Sequence, residues 1–68
     1  MKVTFKNAIG KERVIGTCET EEEAWKIINN FLKEHNYKSY YHRTSFIEEL
    51  NRYWIDVGSW TEFFYVYL

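Results

Sequence analysis

The sequence predicts an α+β domain, an antiparallel β-sheet in ββαβββ order with one amphipathic helix packed on one face, on three observations. Met1–Lys6 alternates, with Val3 and Phe5 pointing one way and Lys2, Thr4 and Lys6 the other, the period of a strand with one buried face. Thr20-Glu21-Glu22-Glu23 then opens a helical pattern. The last sixteen residues, YWIDVGSWTEFFYVYL, hold seven aromatic residues, half of the chain's total, in two strand-like runs.

Each element follows in order. After the first strand, Asn7-Ala8-Ile9-Gly10-Lys11 supplies a turn in which Gly10 can take positive φ. Glu12–Cys18 is a returning strand with Val14, Ile15 and Cys18 apolar, and Gly16 weakens it or marks a bulge. Thr20 caps the helix, and Glu23 reaches back to close a capping box. The three glutamates of the first turn suit the positive end of the helix dipole. Ala24, Ile28, Phe31, Leu32 and His35 fall at helical spacing, with Trp25 and Ile27 flanking them. Asn36 suits a left-handed exit from this fifteen-residue helix. Tyr37–Thr44 is rich in strand formers. Ser45–Asn51 is either a loop or a single helical turn begun by Ser45 and Glu48. Arg52–Val57 is a strand, Gly58-Ser59 begins a turn, and Glu62–Leu68 is the final strand. No repeat or linker divides the 68 residues, which form a single domain.

Composition bounds the chemistry. At this length folding buries only about 60% of the unfolded chain's surface, so stability has to come from dense apolar burial or from a second copy. Cys18 is the only cysteine, which excludes an internal disulfide and a four-cysteine zinc site. Nine basic and ten acidic residues give a net charge of −1: +2 over residues 1–19, −2 over 20–36 and −1 over the rest. That is neither a basic nucleic-acid footprint nor the acidity of a DNA mimic. The uncharged run after Glu62 is six residues, against the ~20 of a membrane-spanning helix. The N-terminus lacks a signal-peptide apolar stretch, so a soluble protein of the cytoplasm is expected.

Catalysis finds no support in the spacing. His35 and His42 lie seven residues apart on different elements, a poor metal pair, and no glycine-flanked nucleophile is present. Cys18 reads as a small buried hydrophobe. Glu21–Glu23 is explained by capping, and Glu48-Glu49 by a solvated turn. No cofactor or metal is expected.

Alternation sends the C-terminal rings to both faces of the sheet. Ile55, Val57, Phe64 and Val66 are assigned to the helix. Trp54, Tyr65 and Tyr67, with Tyr40, then fall on the face that the helix does not cover, where polar residues are usual. An exposed aromatic patch marks an interaction site, and Tyr, Trp and Arg dominate such contacts. The candidate partner-binding residues are therefore Trp54, Trp60, Tyr65, Tyr67 and Tyr40, with Arg43 as a charged anchor. The alternative in which loops or Ser45–Asn51 fold over the patch stays open. A further expectation is that the last strand is a free sheet edge, because no lysine or proline blunts FFYVYL; it would pair with its own copy or with a partner's strand. A second function class is a single-stranded nucleic-acid binder stacking bases on the same tyrosines.

Asp56-x-Gly58-Ser59 has a structural reading: Asp and Ser bond nearby amides and Gly relieves a positive φ, shaping the hairpin that presents Trp60. The segment Tyr40-Tyr41-x-Arg43, followed by Trp54-x-Asp56-x-Gly58-Ser59-x-x-Glu62-Phe63-Phe64, also resembles small uncharacterised proteins encoded by phages and prophages. The resemblance spans about residues 20–67. It brings no catalytic residues. It implies a setting inside a host cell, where small phage accessory proteins bind and redirect or inhibit host proteins, defence nucleases among them.

Overall fold

The computed structural model describes residues 1–35, 43–58 and 61–68. Five strands, β1 (Lys2–Lys6), β2 (Glu12–Thr17), β3 (Arg43–Ile47), β4 (Arg52–Asp56) and β5 (Phe63–Tyr67), form one sheet in the order β2-β1-β5-β4-β3. Every pairing is antiparallel. One helix, α1 (Glu21–Glu34), packs on one face, and a 3₁₀ turn, Glu48–Leu50, joins β3 to β4. The α+β architecture and the ββαβββ order are those the sequence predicts.

Local chemistry accounts for the joints. In the first turn the Asn7 side-chain oxygen accepts from the amides of Ile9 (3.1 Å) and Lys11 (2.9 Å), and Gly10 has φ +87°. At the helix start the Thr20 hydroxyl accepts from the Glu23 amide (3.2 Å). The Glu23 carboxylate reaches back one residue further than a standard box, to the Glu19 amide (3.4 Å), and also accepts from the Thr20 hydroxyl (3.1 Å). His35 is the C-cap, where its ring stacks on Phe31 (4.0 Å between centroids) and Nδ1–H donates to the Phe31 carbonyl (2.9 Å). After β4, the Asp56 carboxylate accepts from the Gly58 amide (2.9 Å) while Gly58 takes φ +92°, the Asp and Gly parts of the turn read from the sequence; Ser59 lies outside the described residues.

Gly16 resolves its two readings in favour of a bulge. Val3 pairs with Gly16 but Thr4 pairs with Val14, which leaves Ile15 as the extra residue. The glycine also lies close under the helix: a Cβ there would stand 2.9 Å from Ile27 Cδ1 and 3.1 Å from Ile27 Cγ2, so a larger residue would displace the Ile27 side chain.

The core lies between α1 and the sheet. Val3 and Phe5 from β1, Ile55 from β4, Val57 just after it, and Phe64 and Val66 from β5 meet Ala24, Ile28, Phe31 and Leu32 of the helix. Phe5, Phe31 and Phe64 form an aromatic triangle with centroids 4.6–5.4 Å apart. Cys18 is half-buried against this core. All four sheet residues assigned to the helix from alternation are buried.

Two expectations are corrected. The strand before the 3₁₀ turn runs Arg43–Ile47, so Ser45 pairs with Trp54 inside a strand and does not begin a helical turn. The helical turn exists, but only over Glu48–Leu50, closed by Asn51 in the left-handed region (φ 50°). The proposed beginning of that strand at Tyr37 and the left-handed exit at Asn36 lie outside the described residues. The second correction concerns the last strand. β5 is the central strand, paired with β1 on one side and β4 on the other, so it offers no free edge to a partner or a second copy. The physical reason is burial on both sides: a central strand covered on both faces reads as a near-continuous apolar run, as FFYVY does.

Candidate functional site: the open sheet face and an apolar cleft

The face away from α1 carries Lys2 and Thr4 of β1, Glu12 and Val14 of β2, Tyr65 and Tyr67 of β5, and Arg52, Trp54 and Asp56 of β4, as the cross-strand partners require. Trp54, Tyr65 and Tyr67 are thus on the predicted face. They do not form an open aromatic platform, because the face is covered from within. The Arg52 guanidinium lies 3.9 Å from the Tyr65 ring centroid, stacked as a cation on a π-face. Tyr65 is left 6% exposed and belongs to a second small core, not to an outer surface. Trp54 packs diagonally on Phe63, with centroids 5.3 Å apart. Lys2 Nζ sits 4.6 Å over the Tyr67 ring. Tyr40 and Trp60 lie outside the described residues.

A polar network ties four strands together across this face. Arg52 Nη1 donates to the Tyr67 hydroxyl (2.6 Å), and that hydroxyl donates a short hydrogen bond to Glu12 Oε2. The same carboxylate oxygen accepts from Thr4 Oγ1 (2.6 Å), and its partner oxygen lies 3.8 Å from Arg52. Arg52 Nε is buried and makes no hydrogen bond among the described residues. Burial alone would raise the Glu12 carboxyl; the hydrogen bonds from Thr4 and Tyr67, with the charges of Arg52 and Lys2, outweigh it and hold the pKa below its ordinary 4.5. Burial, then the Glu12 hydrogen bond, raises the Tyr67 hydroxyl above its ordinary 10.0, against the opposing pull of Arg52.

The sign of the pH dependence follows. A depressed carboxyl pKa contributes stability above the unfolded value and loses it as pH falls through the folded one. Wild-type protein is therefore expected to weaken below about pH 4.5. Glu12→Gln should start roughly 1 kcal/mol lower at pH 7, through the lost charged hydrogen bonds, and show a shallower acid loss. Urea unfolding between pH 3 and 7 checks both, and parallel pH profiles for the two proteins would remove Glu12 from the account.

Arg43 closes the open face at its outer corner. Its Nη2 lies 3.2 Å from Asp56 Oδ2, with the Asp56 side chain 8% exposed and that of Arg43 67% exposed. Arg43 therefore holds a buried carboxylate while most of its guanidinium stays in water.

The more accessible apolar surface is on the other side, and reading the sequence did not single it out. A helix is about 10–12 Å across, whereas five strands at about 4.8 Å spacing span roughly twice that. α1 lies over β1 and β2 and reaches Phe64 on β5, leaving β4 and β3 partly uncovered on the helix side. Between them runs a cleft of about 60 Å³ walled by Ala24, Trp25 and Ile28 of the helix and by Tyr53, Ile55 and Val66 of the sheet, with Met1, Thr44 and Leu68 at its rim. Phe46 continues the apolar strip, its ring 5.0 Å from Tyr53. Phe46 is 45%, Leu68 50% and Met1 39% exposed. Strand alternation places Tyr53 on this side; strand count against helix width is the signal that would have exposed the rest.

Among the described residues no group of three or more His, Cys, Asp or Glu side chains is placed to hold a metal ion, and no helix is long and apolar enough to cross a membrane. No protein-family model, curated protein or solved structure matches the chain.

Proposed function

We propose that this chain is a non-enzymatic binding module of the phage accessory type, which acts by occupying the surface of a host protein and inhibits by occlusion, not chemistry. The observation that carries the reading is the apolar cleft between α1 and β4, rimmed by Met1 and Leu68 and continued along the sheet by Phe46, each of the three more than a third exposed. Large apolar side chains clustered at a concavity favour a partner that inserts an apolar group. Two groups a catalytic reading would use have structural roles, since His35 caps the helix and stacks on Phe31 and Cys18 packs against the core; His42 lies outside the described residues. Arg43, at the outer corner of the sheet, remains a charged contact in this reading. The setting in a host cytoplasm is supported by the phage-type motif alone.

The nucleic-acid alternative draws less from the geometry, since Tyr65 lies beneath Arg52 and Trp54 packs against Phe63, which leaves less free ring face for stacking bases. Affinity capture from host lysate tests the proposal. A Leu68→Asp variant with an unchanged circular dichroism spectrum should lose captured partner by at least roughly tenfold, the effect of burying an unpaired charge in an apolar contact. Equal capture by both proteins would remove the cleft. Titration with single-stranded DNA at low salt should leave tryptophan fluorescence flat; salt-sensitive quenching would favour the alternative.

A further inference from the structure

We infer that β3 is a self-pairing edge, and that two copies of the chain join through it into one continuous antiparallel sheet about a two-fold axis at Ser45. This goes beyond the binding role and does not depend on it. Among the described residues the sheet has two edges, β2 and β3, and they differ. β2 is bulged at Ile15 and opens with Glu12 and Arg13, features that discourage further pairing. β3 is regular over all five residues, RTSFI, pairs with β4 alone among the described residues, and contains no lysine, proline, glycine or bulge; its one charge, Arg43, is partnered by Asp56 of β4. An unblunted edge of this kind is a template for another strand.

The sequence of β3 is complementary to itself when antiparallel. Centred on Ser45, the register that overlaps all five residues sets Thr44 of each copy opposite Phe46 of the other, on the helix side. Phe46 of one copy then comes beside Thr44 at the rim of the other's cleft, which shields a ring now 45% exposed. On the open side the same register sets Arg43 opposite Ile47 of the second copy, with Glu48 and Glu49, which start its 3₁₀ turn, one and two residues further on. Both ends of the contact thus bring a largely exposed guanidinium to two exposed carboxylates. A two-fold axis normal to the sheet keeps both helices on one side, so the two clefts lie on the same face of the assembly.

Register-specific cross-linking tests this on the full chain. In a Cys18→Ser background, Ser45→Cys changes one atom at an exposed position and leaves the fold undisturbed. Paired antiparallel residues have Cα atoms about 4.5–5.5 Å apart, within the span of a disulfide. Mild oxidation is expected to convert Ser45→Cys to a dimer, while Thr17→Cys on the β2 edge stays monomeric. The wild-type mass in sedimentation equilibrium should rise with concentration from 8.4 kDa towards twice that value. Glu48→Lys with Glu49→Lys should weaken the association roughly tenfold at low salt. A constant 8.4 kDa at every concentration, or equal cross-linking at both edges, overturns the inference. Capture of a host protein by a strictly monomeric chain would overturn it and leave the binding role standing; dimerisation without capture would do the reverse.

Discussion

Phe64→Ala is expected to abolish cooperative folding at ambient temperature. Phe64 is fully buried on the central strand, paired with Phe5 on β1 and Ile55 on β4, and its ring contacts both Phe5 and Phe31. Truncating a buried phenylalanine costs about 3–5 kcal/mol, through lost transfer energy and the cavity left behind. A domain of this length has only a few kcal/mol in total and no disulfide to limit the loss. The surroundings have little means to collapse into the cavity, because both neighbouring strands are hydrogen-bonded to β5 itself. The expected thermal melt is a broad, non-cooperative slope where wild type shows a sigmoidal transition. A sharp transition shifted by only a few degrees would mean that the core is not centred on this ring.

The part of the fold that was legible in the sequence is the part determined by near neighbours. The Thr20 cap, the buried stripe Ala24, Ile28, Phe31 and Leu32, the turn at Gly10 and the Asp56–Gly58 turn each depend on residues within a few positions of one another. The face on which each ring of β4 and β5 lies also follows from a local rule, alternation. Strand order is not local. FFYVY reads equally as an unprotected edge or as a centre covered on both sides, and only the pairing with β1, about sixty residues earlier, decides between them. Ser45 misled for a related reason. Its hydroxyl favours a helix start, but pairing opposite Trp54 in the hairpin outweighs that local preference.

The candidate site divides in the same way. Trp54, Tyr65 and Tyr67 were placed on the correct face, yet what covers that face is Arg52, whose role depends on Tyr67 and on Glu12 from the far side of the sheet. The cleft depends on a width mismatch between one helix and five strands, and its rim joins Met1 to Leu68 across the whole chain. No short motif encodes such a contact.

Tyr65→Ser should therefore behave as a core substitution and Tyr67→Phe as a surface one. Tyr65 is 6% exposed, clamped between the Arg52 guanidinium at 3.9 Å and the sheet beneath it. Removing that ring forfeits the burial of an aromatic side chain and strips Arg52 of its cation–π partner, for an expected loss of about 3 kcal/mol. Arg52 Nε, already without a hydrogen bond among the described residues, would then face the vacated space. Tyr67→Phe keeps its ring under Lys2 and deletes only the hydroxyl between Arg52 and Glu12, for an expected loss of about 1 kcal/mol. The two variants separate the accounts of this face in a single urea titration. A large drop in midpoint for Tyr65→Ser with a small one for Tyr67→Phe identifies the face as a second core closed by Arg52. Near-wild-type midpoints for both would restore the outward-facing aromatic patch as the binding surface, and the cleft on the helix side would lose its claim.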